Sequence, residues 1–312
     1  MDAAHHESAM DDRRATEAKE ATETTRGGDP EIPFVPGFRH RYIDTPGLTS
    51  HVAVIGEGEP VVMLHGLPQH WWQWRTVGAA LAQRYQVICP DLRGFGWTRA
   101  ESRRMGRLTQ TDDLRALLDV LHLDRIRLVA HDMGAITAAH LAYAEPERVR
   151  AMAILSVPPP FMPFSIVMLP AMRHIPPLQF HRRGRSIAHV FEPPYVVRPM
   201  AAETVATYLA PMRRPEIDAA INEVYRWLVF SEMPHMAGGA YRRTRLSVPT
   251  LYALGAADRP LTADFVRTQC GDTGRFADHV EIVEVPEAAH FMTDDNPDAV
   301  AELLQDFFER MG

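Results

Sequence analysis

The chain has 312 residues, 46% hydrophobic and 23% charged, enough apolar side chain for one large core or a core with one insertion. A formal net charge of −7 leaves no basic footprint for a nucleic acid. No apolar run approaches the roughly 18 residues of a membrane-spanning helix, and Cys89 and Cys270 are too far apart for a metal spacing. The N-terminus carries no apolar signal-peptide core, so the expectation is a cytoplasmic protein with no cofactor and neither a membrane nor a nucleic-acid partner.

Residues 1–33 are rich in Asp, Glu, Ala and Thr and nearly free of large apolar side chains. Such a stretch cannot bury enough surface to offset its ordering entropy, and it is expected to be a disordered or loosely ordered acidic tail. His5 and His6 are a weak metal signal there. Residues 39–44 and 51–55 alternate apolar and polar, as an antiparallel pair does. A turn over 56–60 leads into Val61-Val62-Met63-Leu64, a run suited to a strand buried on both faces.

That run ends in His65-Gly66-Leu67-Pro68 and is followed by a helix opened by Trp71, Trp72 and Trp74. Residues 86–89 read as the next strand, ending in Asp91-Leu92-Arg93-Gly94-Phe95-Gly96. Residues 108–121 repeat Leu at helical spacing. A short strand over 126–130 then runs through Ala130-His131-Asp132-Met133-Gly134 into a helix, and another strand covers 152–155. Alternating strands and helices make a mostly parallel sheet with helices on both faces. Ligands of such sheets sit beyond the carboxyl ends of the strands, where His65, Asp91 and Asp132 all fall.

From Val157-Pro158-Pro159-Pro160 the rhythm breaks. Residues 157–246 hold many Pro, Met, His and Arg residues and no clear strand, with helical pieces near 187–191, 202–209 and 217–229. About 90 residues is far beyond an ordinary connection, so this is read as a helical lid over the rim. Strands resume at 250–254 and 280–285, followed by Gly255-Ala256-Ala257-Asp258 and by His290-Phe291. A closing amphipathic helix covers 296–311. The core is thus assigned to 34–156 and 247–312.

Ala130 and Gly134, each two positions from Asp132, are small, as a sharp strand-to-helix turn needs for close approach. Two readings are open for Asp132 alone: a helix N-cap, or the nucleophile of a small-x-nucleophile-x-Gly elbow. Asp132, Asp258 and His290 each follow a strand in the order nucleophile, acid, histidine, which favours the second. Attack by a carboxylate on a saturated carbon leaves an ester that water can cleave, whereas serine would leave a stable ether.

On the motifs around Leu67, Asp91, Asp132, Asp258 and His290, the chain from about residue 34 resembles the epoxide hydrolases of the α/β-hydrolase fold, relatives of the haloalkane and haloacetate dehalogenases. The resemblance implies an eight-stranded sheet with a helical lid inserted after strand six. It implies an alkyl ester on Asp132, cleaved by water that His290 activates with Asp258 behind it. The oxyanion would be met by the backbone N–H groups of Leu67 and Met133. Tyr225 matches the second lid tyrosine of the family, a proton donor, with Tyr195 and Tyr241 as fallbacks.

The chain departs from the family at the first lid tyrosine, where Pro176 stands, and His181 or His174 is the expected substitute. His65, Pro68, Trp71 and His181 are candidate substrate contacts, the tryptophans being equally readable as core. The substrate expected is a small apolar epoxide, the assembly a monomer or homodimer. Dehalogenation is the alternative, disfavoured because Met133 offers no side-chain N–H to a halide. A ligand-binding protein without activity is the third reading.

Overall fold

A computed structural model of the chain describes residues 29–106 and 108–312. The acidic tail up to residue 28, with His5 and His6, lies outside the described residues. Residues 29 and 30 are tied down, not loose: Arg99 pairs with Asp29 at 2.6 Å, and the Trp97 indole N–H donates to the Pro30 carbonyl at 2.7 Å.

Among the described residues nine strands form one sheet: β1 (Arg39–Thr45), β2 (Leu48–Ile55), β3 (Glu59–Leu64), β4 (Tyr85–Pro90), β5 (Arg99–Ala100), β6 (Ile126–His131), β7 (Val149–Leu155), β8 (Thr250–Gly255) and β9 (Val280–Val285). Eight follow the order β1-β2-β4-β3-β6-β7-β8-β9, and the two-residue β5 pairs off this path with β2. The expected count of eight missed β5, which is too short to carry a period. β1–β2 and β2–β4 are antiparallel, and the other neighbours on the path are parallel.

The continuous apolar strands are explained by burial on both faces. Val62, Leu64, Leu128, Ala130, Met152 and Ile154 join one core cluster, and their chain neighbours Val61, Met63, Val129, Ala151, Ala153 and Leu155 join the other. α1 (Arg75–Leu81) packs on the second face, and α2 (Thr109–Val120) and α3 (Met133–Ala144) pack on the first. In the sequence reading the turn runs through Gly134 before the helix. α3 begins at Met133, and nine of its twelve residues are buried.

Between β7 and β8 the chain makes no strand and a series of short helices: α4 (Ile175–Gln179), α5 (Ala202–Leu209), α6 (Pro215–Trp227), a π-helical turn (Leu228–Glu232), α7 (Met233–Ala237) and α8 (Ala240–Arg243), with 3-10 turns at Ile166–Met172, Ala188–Phe191 and Ala210–Arg213. α9 (Ala263–Cys270), α10 (Met292–Asp295) and α11 (Pro297–Arg310) complete the fold, α11 packing with α1. Glu232 of the insertion is fully buried against α3, where His140 Nε2 lies 3.2 Å from its Oε1 and the Tyr241 hydroxyl donates to the same oxygen at 2.7 Å.

Because β3, β6, β7, β8 and β9 run parallel, their carboxyl ends share one edge. Leu67, Asp132, Ser156, Asp258 and His290 all lie just beyond it. Among the described residues no helix is long and apolar enough to cross a membrane.

Candidate active site

Asp132 sits at the turn between β6 and α3 with φ +47° and ψ −117°, a conformation that costs a non-glycine residue energy. The crowding that demands it is local. A Cβ on Gly134 would stand 2.7 Å from the carbonyl oxygens of Leu64 and His65, and one on Gly66 would stand 2.5 Å from the Asp132 Cβ. The N-cap reading does not hold, since the Asp132 side chain makes no capping hydrogen bond to its helix.

Its carboxylate faces two ways instead. Leu67 donates its backbone N–H to Oδ1 at 3.0 Å, and Oδ2 lies 3.4 Å from His290 Nε2. His290 Nδ1 lies 3.3 Å from Asp258 Oδ2. The three side chains thus form a line from carboxylate to imidazole to carboxylate. Burial alone would lower the His290 pKa, but its contacts with Asp132 and Asp258 outweigh that and raise it to about 10. Burial likewise pushes Asp132 up, yet the His290 hydrogen bond and charge, with His131 and the Leu67 N–H, hold it well below the ordinary carboxylate range.

The loop carrying His290 is fixed through its own carbonyl. Ser156 Oγ donates to the His290 carbonyl at 2.6 Å and His131 Nε2 lies 2.9 Å from it, so His131 carries its proton on Nε2. Ser156 holds φ +64°, and sequence reasoning passed over it. The available signal was a polar residue placed, like Asp132 and Asp258, just after a buried strand.

Over these groups lies a cavity of about 250 Å³, lined by Leu67, Asp132, Met133, Asp258 and His290 below and by the insertion above. The walls are mainly Met, Pro, Leu, Ile and Val side chains, including Met162, Met168, Met172, Met233 and Met236. Three polar rings reach it from the insertion: His174, Tyr195 and Tyr225. The His174 ring lies 5.9 Å from that of Tyr195 and 6.0 Å from that of Tyr225. Burial, the Asp132 charge and Tyr195 all raise the Tyr225 pKa, so its hydroxyl keeps its proton.

Four expected substrate contacts lie elsewhere. His65 is fully buried, takes the Leu92 N–H on Nε2 at 2.9 Å and donates from Nδ1 to the Gly66 carbonyl at 2.9 Å, so both nitrogens are spent on shaping the loop. Pro68 borders a separate small cleft beside Tyr208. Trp71 is core: it is fully buried, packs on Phe38 and His40, and its backbone N–H donates to Asp91 Oδ1 at 2.7 Å. His181 is held by Asp218 of α6 at 2.6 Å, and its backbone carbonyl accepts from Asn222. Of the two histidines offered for the missing tyrosine, His174 is the one on the cavity. Pro176 is exposed, and the Tyr241 hydroxyl is occupied by Glu232.

Asp91 is likewise structural. It is buried and accepts from Trp71, His51 and Trp97. Among the described residues no group of three or more His, Cys, Asp or Glu side chains could hold a metal.

The strand order, the connection over the sheet edge and the elbow at Asp132 define an α/β-hydrolase-fold protein, and the family description "alpha/beta hydrolase fold" matches residues 59–195. Within that fold part of the chain is similar to epoxide hydrolases and to a dehalogenase. It is 42% identical over 123 residues to "Epoxide hydrolase 2" of Siraitia grosvenorii, covering 38% of this chain and 39% of that protein. It is 33% identical over 139 residues to a fluoroacetate dehalogenase of Burkholderia, covering 42% of this chain and 45% of that protein. The solved structure of an epoxide hydrolase from Vigna radiata aligns over 89% of this chain and 99% of its own, with 25% identity and a TM-score of 0.73. The matches to the first curated relatives span about two fifths of those proteins' length.

Proposed function

We propose that the protein hydrolyses an apolar epoxide to a vicinal diol through a covalent alkyl ester on Asp132. The observation that carries this is the divided Asp132 carboxylate at the floor of an apolar cavity, one oxygen on the Leu67 N–H and the other facing His290. Oδ2 attacks an epoxide carbon while the C–O bond opens. The Tyr225 hydroxyl, assisted by its neighbours His174 and Tyr195, gives its proton to the departing oxygen.

Ester formation removes the negative charge on Asp132. That charge and hydrogen bond help to hold the His290 pKa near 10, so the ester lowers it and turns the imidazole into a base. His290 then takes a proton from water as the water oxygen attacks the Asp132 carboxyl carbon. Charge gathers on Oδ1, where the N–H groups of Leu67 and Met133 are the stabilising donors. Collapse expels the diol with the original Oδ2, to which His290 gives its proton; the proton left on the Asp132 carboxyl passes to His290, and the one His290 released on ester formation restores the Tyr225 hydroxyl. Asp258 keeps the imidazole oriented. The helices over 157–246 act as a lid that excludes water and supplies the apolar walls.

The test is a quench during turnover of an apolar aryl or alkyl epoxide, with mass spectrometry of the peptide holding Asp132. His290→Gln should accumulate a substrate-sized adduct there, and Asp132→Ala should lower turnover by about a thousandfold or more. Full activity in Asp132→Ala would end the proposal. Halide release from haloalkanes or haloacetate without epoxide opening would replace it with dehalogenation, the activity named for the Burkholderia relative.

A further inference from the structure

The outer surface of the insertion is unlike the rest of the molecule. Phe164, Val167 and Leu169 are 50–55% exposed, Ile166 is 75% exposed and Phe180 74%, all within one stretch of chain. Phe230, on the π-helical turn that follows α6, is 73% exposed. Single exposed apolar residues are ordinary, but this many in one region mark a docking surface. From residue 157 to 191 the chain has no carboxylate at all, while it carries Arg173, Arg182, Arg183 and Arg185. All four are exposed, and none has a carboxylate within ion-pair distance among the described residues. The acids of neighbouring α6 are occupied: Glu216 with Arg214, Asp218 with His181, and Glu223 with Arg226. In a chain of net charge −7 residues 157–191 are a basic segment with several exposed apolar side chains.

The segment reaches the cavity mouth. Phe164 and Arg173 are both exposed and both line the cavity, so the cavity reaches the surface between them. Leu228 and Met233, on either side of Phe230, line it as well.

We propose that this face docks on an anionic lipid surface, the exposed apolar side chains entering the headgroup boundary and the arginines pairing with lipid phosphates. Apolar side chains flanked by arginines are the composition of interfacial membrane contacts. A second copy of the chain is the poorer occupant, because a two-fold pairing sets this patch against itself and the unpaired arginines against one another. A protein seated there would also close the cavity mouth, whereas a bilayer holds the kind of apolar molecule that the walls fit. The sequence expectation of no membrane partner therefore narrows to the absence of a spanning helix. Docking stands on the surface alone, and the supply of substrate from the bilayer rests on the proposed function.

The experiment is sedimentation of the full-length protein with phosphatidylcholine vesicles, with and without phosphatidylglycerol. Binding is expected to be at least about tenfold stronger with phosphatidylglycerol and to weaken in high salt. The Arg182→Glu/Arg183→Glu/Arg185→Glu variant and the Ile166→Asn/Leu169→Asn variant should each lose it by about tenfold or more, with unchanged turnover of a water-miscible epoxide. Asp132→Ala should bind vesicles as wild type does, which separates docking from the reaction. Absence of vesicle binding, equal binding by the variants, or a homodimer that Ile166→Asn/Leu169→Asn dissociates in the absence of vesicle binding would each overturn the proposal.

Discussion

Leu67 and Asp132, 65 positions apart in the chain, meet through a 3.0 Å hydrogen bond from the Leu67 backbone N–H to Asp132 Oδ1. The bond exists because β3 and β6 are parallel neighbours, with Leu64 beside Ala130, so the turns that follow them are brought together. Gly66 is what lets them touch.

Gly66→Ala should therefore injure the site before the fold. Its Cβ would lie 2.5 Å from the Asp132 Cβ and 2.7 Å from His131 Nδ1. Displacing Asp132 from both of its partners should lower turnover by about tenfold to a hundredfold. The overpacking should cost about 1–3 kcal/mol of stability. Steady-state kinetics beside thermal unfolding would separate the two effects, and wild-type kinetics would show that the contact is not needed.

The two half-reactions should respond to pH differently. Asp132 is held below the ordinary carboxylate range, so it stays ionised and ester formation persists into mild acid. In the proposed reaction ester cleavage needs neutral His290, whose pKa, near 10 beside the charged Asp132, should fall when that charge is lost in the ester. Lowering the pH should protonate His290 in the ester and slow the second step alone. Rapid-quench mass spectrometry should find more Asp132 adduct at acid than at neutral pH. An adduct fraction independent of pH would remove His290 from the water-activating step.

Tyr225→Phe should slow epoxide opening by about a hundredfold or more, the range of a lost proton donor. Tyr195→Phe and His174→Gln test the two rings beside it. If Tyr225 is the donor, its removal should lower the rate of adduct formation but leave ester hydrolysis unchanged in single-turnover measurements. A wild-type rate of adduct formation would assign the proton to another group.

Glu232→Ala should loosen the insertion from the core. It removes the buried acceptor facing both His140 Nε2 and the Tyr241 hydroxyl, at a cost of about 2–4 kcal/mol by the usual penalty for stranded polar groups. Burial raises the Glu232 pKa, but the His140 contact and the Tyr241 hydroxyl outweigh it and lower the pKa below its ordinary value. Its contribution to stability is therefore present above that ordinary value and is lost as pH falls through the lowered one. Thermal unfolding at several pH values would register this, and unchanged stability in the variant would mean that the latch is not energetically significant.

The sequence determined the sheet, the elbow and the order of the three strand-end residues Asp132, Asp258 and His290. Strands buried on both faces are written as unbroken apolar runs, and a close backbone crossing is written as small residues, so both are local signals. The insertion was legible as a block but not in detail. α5 was bounded as read, while the 3-10 turn at Ile166–Met172 and the short α4, α7 and α8 carry too few residues to show a period.

What only the tertiary structure decided is which side chains meet. His65 and Trp71 stand next to functional-looking residues, yet their partners are Leu92 and Asp91, from the next strand's loop. His174 and His181 are equal as letters seven positions apart. Asp218, far along the chain, holds His181 inside the insertion, and His174 is left on the cavity. Side-chain direction in a segment without regular periodicity is set by long-range packing, and a linear pattern holds no record of it.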